Sequence, residues 1–279
     1  MNTSSYQERF AVSSAVYFNY SIQYAIKDLS NIGYEGIEIW GGRPHMYRHD
    51  LDNQIDEINN LLTTSNLKVC NFIPAQFRYP SILCSENEQV RRESIAYIES
   101  AMDNAIKIGS PSISLCPGMV LFDREIDNGR KQLIKSFQEL SERNSNRNLL
   151  LLIEPAHRFE TNLILTIEDC LRMIDEQKFE QIGILLDTGH CHINGEDFRK
   201  VIDRCKGVPL HIHIDDNFGD SDSHLIPGKG NADLISLAES LTATSYQGYI
   251  SAELGNSYIM NPTGACRETL KVLRSYFEN

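Results

Sequence analysis

"PLHIHIDD", residues 209–216, alternates apolar and polar side chains with a period of two, which marks a β-strand with two unlike faces. Leu210, Ile212 and Ile214 share one face; His211, His213 and Asp215 share the other. A buried face of ionisable groups is tolerable only where those groups find partners or a metal. Seven other stretches read as strands: "FAVSSAVYF" (10–18), "GIEIWGG" (36–42), "LKVCNFIPA" (67–75), "SISLCPG" (112–118), "LLLLIEPA" (149–156), "IGILLDTGH" (182–190) and "GYISAEL" (248–254). Helical patterns separate them, among them 21–33, 86–109 and 197–207, with Gly33, Gly109 and Gly207 where helix C-caps belong. Strict alternation of strand and helix implies parallel strands with crossover helices. Eight such units in 279 residues predict an α/β fold, a single (β/α)8 TIM barrel over residues 1–279, with no linker or composition shift to divide it.

In a barrel the apolar face of each strand meets the helices and the other face lines the interior. His211, His213 and Asp215 therefore point inward. In "LLLLIEP", Glu154 lies opposite Leu151 and Ile153, with Leu150 and Leu152 in the interior below it. In "IGILLDTGH", Ile182, Ile184 and Leu186 face out and Asp187 faces in. In "GYISAEL", Ile250, Ala252 and Leu254 face out and Glu253 faces in. Strands five to eight thus each bring one acid or imidazole to the C-terminal rim, where barrel enzymes keep their chemistry.

Three carboxylates converging on a low-dielectric interior repel one another, and a divalent cation removes that conflict. The oxygen-rich set Glu154, Asp187, His213 and Glu253 suits one Mn²⁺, Co²⁺ or Mg²⁺, with Zn²⁺ also compatible. The competing reading pairs each acid with Lys or Arg, and the strand ends offer no matching cations. His190, three residues after Asp187, reads as a substrate contact, with a ligand or capping role as alternatives. His211 reads as a packing or supporting histidine and Asp215 as a group that orients its neighbours. Asp222 and His224 lie in a Gly/Asp/Ser loop that reads as solvated, as substrate-side, or as part of a second metal site. Glu38 and Trp40 point inward from strand two; Trp40 offers an apolar wall for a sugar, and Arg43 or His45 a polar contact, against the plainer reading of a turn with a surface arginine. Arg158 and Glu160 follow strand five near the same rim. "PGKG" (227–230) is a weak phosphate signal without the full P-loop pattern, and no nucleophile elbow or Ser/His/Asp arrangement stands out.

A net charge of −12 and an isoelectric point near 5.1 argue against a broad nucleic-acid surface. The longest apolar run, "LLLLI" (149–153), is far short of a membrane span, and "MNTSSYQERF" has neither a basic nor an apolar leader region. Seven scattered cysteines without CxxC spacing read as reduced thiols, so a cytoplasmic enzyme is expected.

The motifs "IEP", "LLDTGH", "HIHIDD" and "SAEL" resemble the xylose-isomerase-like barrel superfamily, which holds sugar isomerases, ketose 3-epimerases, inosose-processing enzymes and the endonuclease IV type of repair enzyme. Over nearly the whole chain, "EIWGGRPH", "RRESI…AMDNA", "SDSHLIPGKG" and "GY…EL…MNP" look like the fructoselysine 3-epimerase group and its ketose 3-epimerase relatives. The resemblance implies one divalent metal, typically Mn²⁺ or Co²⁺, on Glu154, Asp187, His213 and Glu253, the two glutamates also moving protons on opposite faces of the substrate's C3. It implies that His190 and Glu160 bind substrate oxygens of a ketose or ketosyl-amine; Trp40, Arg43 and His224 are the further substrate contacts that the strand and loop residues themselves suggest. The family's arginine after the metal histidine is missing from "DDNFGDSDSH". Relatives are often dimers or tetramers, so a homo-oligomer is expected. An aldose–ketose or inosose-type isomerase would use the same metal site, and a non-catalytic sugar-binding barrel would not need paired glutamates. A trinuclear nuclease would use residues matching Glu154, Asp187, His190, His213, Asp222, His224 and Glu253, but also needs histidines after strands three and four, which read "NFIPA" and "LCPG".

Overall fold

A computed structural model of the chain describes residues 9–76, 81–179 and 181–277; the N-terminal stretch read above for a leader lies mostly outside them. The strands are β1 (Phe10–Ser13), β2 (Gly36–Gly41), β3 (Lys68–Pro74), β4 (Ser112–Leu115), β5 (Leu150–Ile153), β6 (Ile182–Asp187), β7 (Leu210–Ile214) and β8 (Ile250–Ala252). They pair in parallel in chain order, and β8 pairs back onto β1, closing the barrel. The helices are α1 (Ile22–Ile32), α2 (Ile55–Thr64), α3 (Glu88–Lys107), α4 (Ile126–Asn144), α5 (Ile167–Gln177), α6 (Thr188–Ile193), α7 (Phe198–Arg204), α8 (Leu234–Ala243) and α9 (Pro262–Phe277).

Local chemistry sets their ends. Ser21 caps α1 by accepting from Tyr24 N, and Gly33 closes it at φ 102°, a left-handed conformation that glycine adopts without a Cβ clash. Thr166 and Asp169 cap each other's backbone at the start of α5.

The outward residues assigned from alternation (Leu151, Ile153, Ile182, Ile184, Leu186, Ile212, Ile214, Ile250 and Ala252) all belong to the main core between strands and helices. Leu185 pairs in register with His211, and Asp187 with His213, so the inward residues of β6 and β7 stand side by side.

The strands are shorter than the sequence patterns suggest. "FAVSSAVYF" is not one strand: Ser13 ends β1 and accepts from Ala15 N, starting a 3-10 turn over Ser14–Tyr17. Ser14 Oγ then accepts from Trp40 N at 2.8 Å, which fixes the end of β2. β5, β7 and β8 end just before Glu154, Asp215 and Glu253, and Asp187 turns from last strand residue to N-cap of α6. Among the described residues no helix is long and apolar enough to cross a membrane.

Candidate metal and substrate site

Glu154 follows β5, Asp187 ends β6, His213 lies on β7 and Glu253 follows β8. Register and backbone bonds bring them to one level: Glu154 N donates to Leu115 O at 3.1 Å and Glu253 N to Ile214 O at 3.3 Å. Each residue offers one ligand atom, and the four atoms lie within 4.8 Å of one another. His213 Nδ1 is 2.9 Å from Glu253 Oε2 and 3.7 Å from both Glu154 Oε1 and Asp187 Oδ2. Nevertheless His213 Nδ1 and Asp187 Oδ2 are buried and make no hydrogen bond of usable geometry. Buried polar atoms are rarely left so without an ion or water to satisfy them. The donor set and these two orphaned atoms fit a divalent cation.

The remaining atoms of the ligands are committed elsewhere. Asp187 Oδ1 accepts from His190 N at 2.8 Å, which caps α6 and leaves Oδ2 facing the site. His213 Nε2 lies 2.8 Å from Glu38 Oε1, and His211 Nε2 lies 3.0 Å from Glu38 Oε2. Asn71 Nδ2 also donates to Glu38 Oε1, at 2.9 Å. Burial pushes the Glu38 carboxyl up, but the two imidazoles outweigh it and hold it well below the usual range. An ionised carboxylate only accepts, so Nε2 of His213 carries a proton. Burial lowers the His213 imidazole, but Glu38 and Glu253 prevail and raise it well above its usual range, and Nδ1 would shed its proton to ligate a cation.

Burial pushes Glu154 up to about 8, with Glu253 and Asp187 adding to the rise against the opposing pull of His213 and His190. The Cys116 thiol lies 3.8 Å from Glu154 Oε2, positioned to donate to it.

A second cluster surrounds Asp222. Its Oδ2 lies 2.9 Å from His224 Nε2, 3.2 Å from His157 Nε2 and 3.7 Å from His190 Nε2. Burial opposes ionisation of Asp222, but the imidazoles of His157, His224 and His190 hold it far below the usual carboxylate range. Burial alone would lower His190; Asp187, Asp222, Glu154 and Glu160 prevail and raise it to about 9. The rings of His157 and His190 stack with centroids 4.8 Å apart. His224 Nδ1 lies 2.9 Å from Asp215 Oδ2, while Asp215 Oδ1 accepts from Gly189 N at 2.7 Å.

The loop after β7 is held down by Asp216. Its backbone pairs with Leu225, and its carboxylate accepts from Gly228 N, Gly230 N and Ala232 N at 2.9–3.0 Å. This corrects the phosphate reading of "PGKG": Asp216 occupies the backbone donors, and Lys229 pairs with Glu268 at 2.9 Å.

Above the ligands lies a cavity of about 280 Å³ walled by Trp40, Glu154, Glu160, His190, His224 and Glu253, among others. Asp187 and His213 are buried within the barrel among the ligand atoms. The sequence-assigned residues therefore meet, with three exceptions, two of them on the β2 loop. Arg43 is 71% exposed and its Nε pairs with Asp50 at 2.6 Å, because the chain turns away after Gly42. His45 is buried between Ser14 Oγ and the carbonyl of Tyr20, a structural place. Arg158 likewise lies over the ring of Phe159.

His157 and Gln76 are site residues that alternation does not find; Cys116 follows Ser112 and Ser114 on the inward face of β4, a pattern of two that the site assignment above leaves unused. His157 follows Glu154 by three residues, and the turn it begins accepts from Glu160 N and Thr161 N. A second imidazole so soon after an inward glutamate was the available signal.

A closed parallel barrel with acids and imidazoles gathered at the C-terminal ends of β5 to β8 has the architecture of a barrel enzyme. The chain belongs to the xylose isomerase-like TIM barrel family, an enzymatic family whose model matches residues 26–276. It is 31% identical over 257 residues to the fructoselysine 3-epimerase of Escherichia coli O157:H7, covering 91% of this chain and 93% of that protein. It is 24% identical over 276 residues to the 3-dehydro-D-guloside 4-epimerase of Escherichia coli strain K12, covering 96% and 99%. Among solved structures, the IOLI protein with a bound zinc atom superposes with a TM-score of 0.83 at 17% identity, over 97% of this chain and 98% of that one.

Proposed function

We propose that the protein inverts C3 of a ketose or ketosyl-amine, with one divalent cation held by Glu154, Asp187, His213 and Glu253. The observation that carries this reading is the pair Glu154 and Glu253, two carboxylates on different strands that both line the cavity and both face His213 Nδ1. Inversion at carbon needs one group to remove a proton and another to return one from the opposite side. One glutamate, as carboxylate, takes the C3 proton; the C–H pair becomes the C2–C3 double bond and the negative charge moves to O2. The other, as carboxylic acid, then protonates C3 on the opposite face as the carbonyl re-forms. When bound, the cation supplies the Lewis acidity that stabilises charge on the carbonyl oxygen. Three oxygen donors and one imidazole favour Mn²⁺ or Co²⁺, and the zinc atom of the IOLI protein shows that a protein of this fold can hold a metal.

His190, Glu160 and His224 bind sugar hydroxyls, and Trp40 covers an apolar face of the ring or chain. The wall formed by the ends of β3 and β4 offers Ile73, Pro74, Ala75, Gln76 and Cys116, which do not supply the extra histidines of a trinuclear nuclease. All seven cysteines are free, which fits a cytoplasmic enzyme.

Incubation of metal-loaded protein with ketoses in D₂O tests the reaction: deuterium should enter at C3, with formation of the C3 epimer. Exchange at C1 and C2 alone would instead mark an aldose–ketose isomerase, and exchange at C4 a 4-epimerase like the guloside relative.

A further inference from the structure

We infer that the substrate carries an apolar substituent, an alkyl or aryl group, which lies in a groove beside the loop that follows β4. The inference rests on the epimerase reading only for the place of the ketose end. The catalytic cavity shares Gln76, Cys116 and Glu160 with a narrow gap. That gap in turn shares Ser81, Gly118 and Met119 with a cavity of about 270 Å³. The three spaces adjoin through these shared walls, in order from the glutamates to the outer cavity.

The two ends of this series differ in chemistry. Around the glutamates, His190, His224 and Glu160 offer donors and acceptors for hydroxyl groups. At the outer end Ile82, Val120, Leu121 and Phe122 line the wall, and no described residue that lines it is charged. Leu121 and Phe122 are 68% and 87% exposed. They are not the tip of a loosely held loop. Thr161 Oγ1 donates to Gly118 O at 2.7 Å, Val120 N donates to Asn162 Oδ1 at 2.9 Å, and Asn162 Nδ2 donates to Val120 O at 3.0 Å. Three bonds from the loop after β5 fix the segment that carries them. A rigid, concave, apolar surface that opens into a polar reaction cavity gains from burying hydrocarbon attached to the reacting sugar. A free ketose, hydroxylated on nearly every carbon, fills the polar end and leaves the apolar end in water.

Calorimetric titration of the metal-loaded, full-length protein tests this with fructose, N-hexyl fructosamine and the hexyl ether of fructose at O6. At least one alkylated ketose should bind ten times more tightly than fructose or better. The double variant Leu121→Ser/Phe122→Ser should bring that preference to within about twofold while leaving fructose affinity unchanged. Equal affinity for all three ligands overturns the inference, as does a preference undiminished in the double variant. A variant whose only change is its oligomeric state in gel filtration also overturns it, since a second copy of the chain would then cover the patch. Binding is read without turnover. Tight alkyl-ketose binding without C3 exchange therefore sinks the epimerase reading alone, and C3 exchange without alkyl preference sinks only the groove.

Discussion

Glu38 Oε1 lies 2.8 Å from Nε2 of His213, on the side of the ring away from the three carboxylates. This contact decides which imidazole nitrogen would face a bound cation, because an ionised Glu38 accepts from Nε2 and leaves Nδ1 as the nitrogen available to ligate. Glu38→Gln keeps the shape but removes the charge. Metal affinity should fall by about 10- to 100-fold with the fold intact, measured by Co²⁺ titration followed in the visible spectrum, with circular dichroism as the control. Unchanged Co²⁺ binding would refute the orienting role.

Glu154→Gln and Glu253→Gln test the proton transfers separately. Each should lower epimerisation by about 10²- to 10⁴-fold, the range for a positioned acid or base. Each variant should still exchange the C3 proton of the one epimer whose hydrogen faces the surviving glutamate. Loss of a measurable rate for both epimers in both variants would mean that the two glutamates do not divide the faces between them.

The raised value of Glu154 makes cation binding depend on pH. Below about 8 the metal-free site holds a proton on Glu154 that the cation must displace. Affinity should therefore climb with pH, and calorimetry across buffers of different ionisation enthalpy should show net proton release on binding. His213, raised well above its usual range by Glu38 and Glu253 against the effect of burial, must also give up its Nδ1 proton. The same shift has a sign for stability. A folded-state value above the unfolded one contributes stability that is complete below about 4.5 and is lost as pH rises through about 8. The melting temperature of metal-free protein should fall between pH 5 and pH 8.5, and Glu154→Gln should flatten that fall.

Asp216 takes three backbone N–H groups of the loop after β7. Asp216→Ala removes the shared acceptor of three partly buried donors, a loss of about 3 kcal/mol on the scale of bonds to a charged group. The melting temperature should drop by roughly 6 °C or more for a domain of this size. His224, carried by the same loop, should lose its place near Asp222, so sugar affinity should weaken more than metal affinity.

The barrel was legible because strand geometry is local. A period of two forces Leu210, Ile212 and Ile214 to one face and His211 and His213 to the other, whatever the rest of the chain does. Strict alternation with helices then requires parallel strands, and closure turns one face of each strand into an interior. That reasoning located Glu154, Asp187, His213 and Glu253, and the structure brings them within 4.8 Å of one another. It also pointed Glu38 inward, though not to its place behind His213.

Loop residues carry no such period. Asp222 and His224 stand in the site only because Asp216 binds Gly228, Gly230 and Ala232 and folds the intervening chain over the barrel mouth. His157 is there because its turn stacks it on His190, a partner from α6. Arg43 is absent because its guanidinium finds Asp50, seven residues on, in solvent. The sequence by itself determined the barrel and the four inward groups, since backbone alternation fixes which way a strand residue faces. The tertiary structure decided which loop side chains surround them, since hydrogen bonds between distant segments set the path of a loop.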